Sequence, residues 1–234
     1  MAKILEKGDT GFGILIENDA GYVDRKINAK TNINESQLII EPGKPVIIPA
    51  ILQKWGVENK NGRIYPEDIL KREVERYMEA VSDNAAVNEA DHPESSVVSL
   101  DNISHIIKEM WWGKGPNDSN VLYGTLEIIT SPAYMENGII GMVGDKIAEY
   151  LRRGIKLGIS SRGVGTLKET NGKNIVQDDF ELICFDLVAS PSTPGAYLFP
   201  EKSIKMGEGL PKRNVNLNEN NNDKVLNAIN KFLL

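Results

Sequence analysis

The sequence predicts a mixed α+β fold, a strand-rich core with flanking helices, on three observations. Apolar runs of strand length, IIKEMWW, VLYGTLEII and FELICFDLV, are bounded by turn-forming residues. Two other stretches repeat their apolar residues at helical spacing. With 234 residues, 41% hydrophobic and 26% charged, the chain is long enough to bury one sizeable core.

Residues 1–36 are polar and rich in Asn, Asp and Gly, and read as a loosely built extension or edge strands around pieces such as GFGILIE. SQLIIEPGKPVIIPAILQKWG, broken by Pro42, Gly43 and Pro45, reads as short strands and turns leading into the turn-rich NKNGRIYP at 59–66. A helix follows. Pro66 suits its first turn, Glu67 and Asp68 favour its positive end, and Ile69, Leu70, Val74, Tyr77, Met78 and Val81 form one face.

IIKEMWW and VLYGTLEII read as strands around the polar turn GKGPNDSN. A second helix is expected over about 137–153, with Ile139, Ile140, Val143, Ile147, Tyr150 and Leu151 as its stripe and Arg152, Arg153 and Gly154 as its stop. It leads into LGISSRGVG at 157–165, read as a glycine-bounded turn, and FELICFDLVASPS is a buried strand ending at Pro191. Residues 201–222 read as a flexible linker. Residues 223–234 read as a short amphipathic helix carrying Val225, Leu226, Ile229, Phe232 and Leu233.

Composition narrows the function. A formal charge of −6 argues against general nucleic-acid binding, which needs a concentrated basic face. The single Cys184 leaves no intramolecular disulfide and, with two histidines, no zinc site, so no metal or cofactor is expected. No apolar run approaches the roughly 20 residues needed to cross a bilayer, and MAKILEKGDTG lacks a secretion signal. Neither membrane nor nucleic acid is an expected partner, and an intracellular location is.

LGISSRGVG sets adjacent hydroxyls among glycines, but neither serine satisfies the Gly-x-Ser-x-Gly elbow. Ser160 lacks the trailing glycine and Ser161 the leading one. Gly158 and Gly163 are spaced as in a phosphate loop, yet Val164 and Gly165 stand where Lys and Ser/Thr are required. A base must come from elsewhere. His92, in the polar turn NEADHPESS, is better placed to reach a substrate than His105, which opens an apolar strand and is expected to be packed. Asp91 and Glu94 flank His92, but sequence neighbours often point apart. Asp186, an acid inside the apolar ICFDLVASPS, is costly to bury without a partner.

NKNGRIYP, ADHPES, the EMWW strand, LGISSRGVG and FDLVASPSTPGAY, in this order and at these intervals, resemble the prohead core proteases of large myovirus-type tailed phages. That group of capsid-maturation serine proteases shares the herpesvirus assemblin fold, so the resemblance implies a β-barrel-like core. It implies a serine protease domain over 37–200, with the amino-terminal extension before it. In the family the histidine of the DHP turn and the first serine of SSRG are base and nucleophile, which places those roles on His92 and Ser160. Asp186 best matches the third member; herpesvirus relatives use a second histidine instead. Oxyanion donors are expected from the backbone of Ser161, Arg162 and Gly163, just past the nucleophile. Asn61, Arg63 and Tyr65 of the first motif are candidates for the substrate side.

The resemblance further implies cleavage after glutamate of scaffold (core) and capsid proteins inside the assembling prohead in the host cytoplasm. It also implies self-processing, for which Glu208 and Glu219 in the tail are candidate cut sites. A homo-oligomer is compatible with the sequence. The rival reading is a noncatalytic assembly or scaffold protein on the same fold, in which the triad positions need not converge.

Overall fold

The computed structural model describes residues 13–16, 42–114 and 120–198. Their strands are β1 (Gly13–Ile16), β2 (Val46–Lys54), β3 (Arg63–Ile64), β4 (Val87–Glu89), β5 (Ile103–Lys114), β6 (Asn120–Ile128), β7 (Gly158–Gly165), β8 (Leu167–Thr170), β9 (Lys173–Val176) and β10 (Glu181–Val188). The helices are α1 (Glu67–Ser82), α2 (Pro132–Asn137) and α3 (Val143–Arg152). The mixed, strand-rich class is as expected. The barrel-like closure is not: the described strands form three sheets, ordered β2-β6-β5-β4, β1-β7-β10 and β3-β9-β8.

Alternation explains the first sheet. Val46, Ile48, Ala50 and Leu52 of β2 face the core, while β5 and β6 contribute Ile107, Met110, Leu122, Leu126 and Ile128. Helix α1 lies where the sequence places it, with Ile69, Leu70, Val74 and Tyr77 buried and Met78 and Val81 packed at their margin. It also buries a charge. Glu73 is 3% exposed, and its Oε2 accepts from Leu182 N–H at 2.9 Å and pairs with Arg76 at 2.7 Å, which pins α1 to β10.

The helix expected over 137–153 starts later, as α3 at Val143, and the shorter α2 ends at Asn137 just before it. Gly138 takes φ 70° and closes α2, leaving Ile139 and Ile140 exposed at 60% and 48%. Asp145 then starts α3 by accepting from Gly141 N–H and Met142 N–H, both at 2.9 Å, and also binds Ser131 at the head of α2.

The edge-strand reading of the amino-terminal stretch has a counterpart at GILI. Residues 13–16 of that stretch are β1, an edge strand paired antiparallel with β7 from Ile16↔Arg162 to Gly13↔Gly165. The expected linker and terminal helix, 201–222 and 223–234, lie outside the described residues.

LGISSRGVG is not a turn. Residues 158–165 form a strand flanked by β1 and β10, and its glycines answer to close packing. A Cβ on Gly163 would sit 2.4 Å from Phe180 Cε2 and 2.6 Å from Glu181 O, and one on Gly158 would sit 2.5 Å from Pro191 Cδ.

Candidate active site

β7 and β10 pair antiparallel with Ser160 opposite Asp186 and Arg162 opposite Cys184. Side chains alternate across a sheet, so these four share one face and Ser161 takes the other. The two neighbouring hydroxyls of the motif therefore meet different surroundings.

His92 reaches the Ser160 face from the chain after β4. Ala90 bridges in parallel to Leu187, and Asp91 N–H donates to Leu187 O at 2.8 Å, tying this segment to the end of β10. Asp91 takes φ 64°, a left-handed conformation that aspartate tolerates better than most residues, and the chain turns there. His92 Nδ1 then lies 2.8 Å from Asp186 Oδ2, with both side chains 0% exposed. The contact has hydrogen-bond length without hydrogen-bond direction, and neither ring nitrogen of His92 finds an aligned partner among the described residues. Loose alignment of this kind is common in catalytic sites without substrate. Asp91 and Glu94 are exposed, so the acid against the ring comes from a distant strand.

On the opposite face, Gln53 Nε2 donates to Ser161 Oγ at 2.8 Å. Gln53 Oε1 in turn accepts from Thr193 Oγ1 at 2.5 Å and Lys54 N–H at 2.9 Å. Ser161 thus belongs to a buried network joining β2, β7 and the loop after β10. Ser160 itself is 1% exposed, so the face it shares with His92 and Asp186 is closed to solvent in this form.

Around Asp186 lies a buried charge cluster. Its Oδ1 accepts from Glu89 N–H at 3.2 Å and Arg162 Nη2 at 3.3 Å, and its Oδ2 is 3.0 Å from Arg162 Nε. Arg162 Nη2 also pairs with Glu89 Oε2, whose sister oxygen Oε1 is buried without a partner among the described residues. Burial works against the guanidinium charge, but the hydrogen bonds to Cys184 Sγ and the carboxylates of Asp186 and Glu89 outweigh it and hold the pKa of Arg162 above its ordinary value. Burial likewise pushes the Cys184 thiol up, so it stays protonated. Two carboxylates face one guanidinium here, and a proton arriving on His92 would bring the group to neutrality.

His105 is the packed residue expected. Its Nε2–H donates to Phe185 O at 3.0 Å and its Nδ1 accepts from Ser104 Oγ at 2.9 Å. Burial pushes its pKa down to about 4, against the raising pull of Asp186 and the Phe185 carbonyl, so the ring stays neutral.

Other expectations change. Tyr65 is 1% exposed and meets Phe180 edge-on at 5.2 Å, and Arg63 is 4% exposed on β3. Asn59 Oδ1 accepts from Asn61 N–H and Arg63 N–H, both at 3.0 Å, so the NKNGR motif builds its own turn. Arg63 and Tyr65 are buried in this form, and Asn61 is half-buried in that turn. The turn expected to carry oxyanion donors at Ser161, Arg162 and Gly163 is strand. Ile159 N–H donates to Ala196 O at 2.8 Å, and amides alternate, so Arg162 N–H points toward β10 and Gly163 N–H toward β1. Sequence reasoning missed Glu89, although an acid among the small apolar residues of AAVNEA was the same signal that singled out Asp186.

Three comparisons bear on this geometry. Residues 12–207 match the family described as prohead core protein serine protease. The prohead core protein protease of Enterobacteria phage T4 is 36% identical over 166 residues, covering 70% of this chain and 71% of that protein. The solved bacteriophage T4 capsid assembly protease superposes with a TM-score of 0.54 at 30% identity, over 66% of this chain and 98% of that one.

Proposed function

The chain belongs to the prohead core protein serine protease family, and from that premise we infer that Ser160 is its nucleophile, His92 the general base and Asp186 the carboxylate that orients the base. The protein is a protease of prohead maturation. The observation that carries the assignment is the meeting of three distant segments: Asp186 opposite Ser160 in the β7–β10 ladder, with His92 Nδ1 2.8 Å from Asp186 Oδ2.

Ser160 Oγ attacks the scissile carbonyl as His92 takes its proton through Nε2, the nitrogen left over when Nδ1 faces Asp186. His92 returns that proton to the leaving amine, and water then hydrolyses the acyl-enzyme by the same path. Asp186 fixes the Nδ1–H tautomer and offsets the imidazolium charge. Of the expected oxyanion donors, the Ser161 amide is the one retained: the Arg162 amide faces β10 and the Gly163 amide faces Leu15 of β1, whereas the Ser161 amide lies one residue beyond the Ile16↔Arg162 end of that pairing. Because Ser160 is 1% exposed, a substrate segment enters only after a local opening.

The substrates are core and capsid proteins inside the assembling head, cut after glutamate, and the same activity removes the tail at Glu208 or Glu219. The test is to incubate the full chain and its Ser160→Ala variant with scaffold protein and map the new termini by mass spectrometry. Cleavage by the wild type alone, after glutamate, is expected. Equal cleavage by both would assign the activity to a contaminant, and intact scaffold in both would favour a noncatalytic assembly role.

A further inference from the structure

We propose that Arg162 is a positioning residue whose guanidinium holds the His92 segment in register with Ser160 and Asp186; the proposal rests on the roles assigned above to those three. Arg162 leaves β7 two residues after Ser160, on the same face, and is the largest fully buried side chain among the described residues. Its nitrogens reach both sides of His92 along the chain. Nη2 meets Glu89 Oε2, three residues before the histidine. Nη1 donates to Ser95 O at 3.0 Å and approaches Pro93 O at 3.4 Å, three residues and one residue after it. The remaining contacts fall on Asp186, the carboxylate that faces the imidazole.

Local structure gives the His92 segment little rigidity of its own. Residues 91–98 include no helix or strand, and the left-handed Asp91 just before His92 is a conformation that persists where surrounding contacts over-determine it. The guanidinium supplies such contacts from a strand that β1 and β10 hold on both sides. A planar fork with five donors can span two carbonyls and two carboxylates at once, whereas an ammonium carries the same charge on one atom. Placement of a buried ion pair inside a polar cluster is weak evidence for stability and better matched to conformational specificity.

Arg162→Lys separates charge from geometry. In the full chain with scaffold protein as substrate, it should lower kcat by about 100-fold or more, the cost of a misplacement near 1 Å, with KM unchanged. Backbone amides of 92–98 should exchange with deuterium faster than in the parent chain, while those of β2 and β6 do not. A folded Arg162→Lys protein with wild-type kcat would overturn the proposal. Should that variant fail to fold, the guanidinium resonances of Arg162 in the Ser160→Ala chain decide. Separate, slowly exchanging Hη signals are expected of an anchored fork, and one averaged signal would overturn it. Cleavage by Ser160→Ala is measured alongside: residual activity there overturns the nucleophile assignment and this proposal together, whereas wild-type kcat in Arg162→Lys overturns this proposal alone.

Discussion

Asp186 stands directly across the β7–β10 ladder from Ser160, so the shortest path between the two runs over one sheet face. His92 Nδ1 lies 2.8 Å from the Oδ2 atom of that aspartate. The register of one strand pair therefore determines which of two adjacent serines shares a face with the histidine–aspartate pair, and a slip by one residue would exchange them.

Ser161→Ala should leave proteolysis within a few-fold of wild type but destabilise the fold. It removes the acceptor of Gln53 Nε2, and leaving a buried amide unpaired costs about 1–3 kcal/mol. Thermal unfolding and scaffold cleavage measured together check this. A fully stable Ser161→Ala protein without activity would reverse the roles of the two serines.

Asp186→Asn should fold and retain roughly 10⁻⁴ of the wild-type rate, because an asparagine opposite Nδ1 favours the wrong imidazole tautomer. Arg162 keeps Glu89 as its counter-ion in that variant. Circular dichroism establishes the fold and single-turnover cleavage the rate. Activity near wild type would move the orienting role to another acid.

His105 makes the protein acid-sensitive. Its folded pKa of about 4 lies below its unfolded value, which is about 6.5. The unfolded chain thus binds a proton that the folded chain refuses, and stability present above pH ~6.5 is lost progressively as pH falls toward ~4. The loss is on the order of 3 kcal/mol at the acid end. In a Ser160→Ala background, urea midpoints for His105→Gln should fall less between pH 7 and pH 4.5 than those of the parent. Parallel curves would contradict the account.

Gly163→Ala should lower stability by about 1–3 kcal/mol, since its methyl would meet the Phe180 ring and the Glu181 carbonyl within a strand paired on both sides. Calorimetry reads the change. Unaltered melting would show that the Phe180 ring swings clear.

Legibility followed the physics of each signal. Helix α1 was readable because its apolar face repeats without interruption from Ile69 to Tyr77, whereas the stripe over 137–153 took in Ile139 and Ile140, which follow the left-handed Gly138 at the end of α2 and lie exposed before α3 begins. Asp186 stood out as an acid in an apolar strand. Glu89 sat in a shorter run of small residues and did not, and the partner of both, Arg162, came from a segment misread as a turn. Glycine was the source of that error: at 158 and 163 it serves contact with Pro191 and Phe180, which lie distant in sequence, rather than backbone reversal. Strand β1 was legible as a candidate edge strand in GFGILIE, but its pairing with β7 depends on tertiary structure and was not. The closure of the Ser160 face is likewise a property of the assembled fold.

The most direct test of the central claim is to react the full chain with a fluorophosphonate while it is cleaving scaffold protein, and to locate the adduct by peptide mapping. The account predicts a single adduct on Ser160, formed at the wild-type rate in Ser161→Ala and at least ~100-fold more slowly in His92→Ala, where the general base is missing. An adduct on Ser161, or labelling of Ser160 that is indifferent to His92, would contradict it.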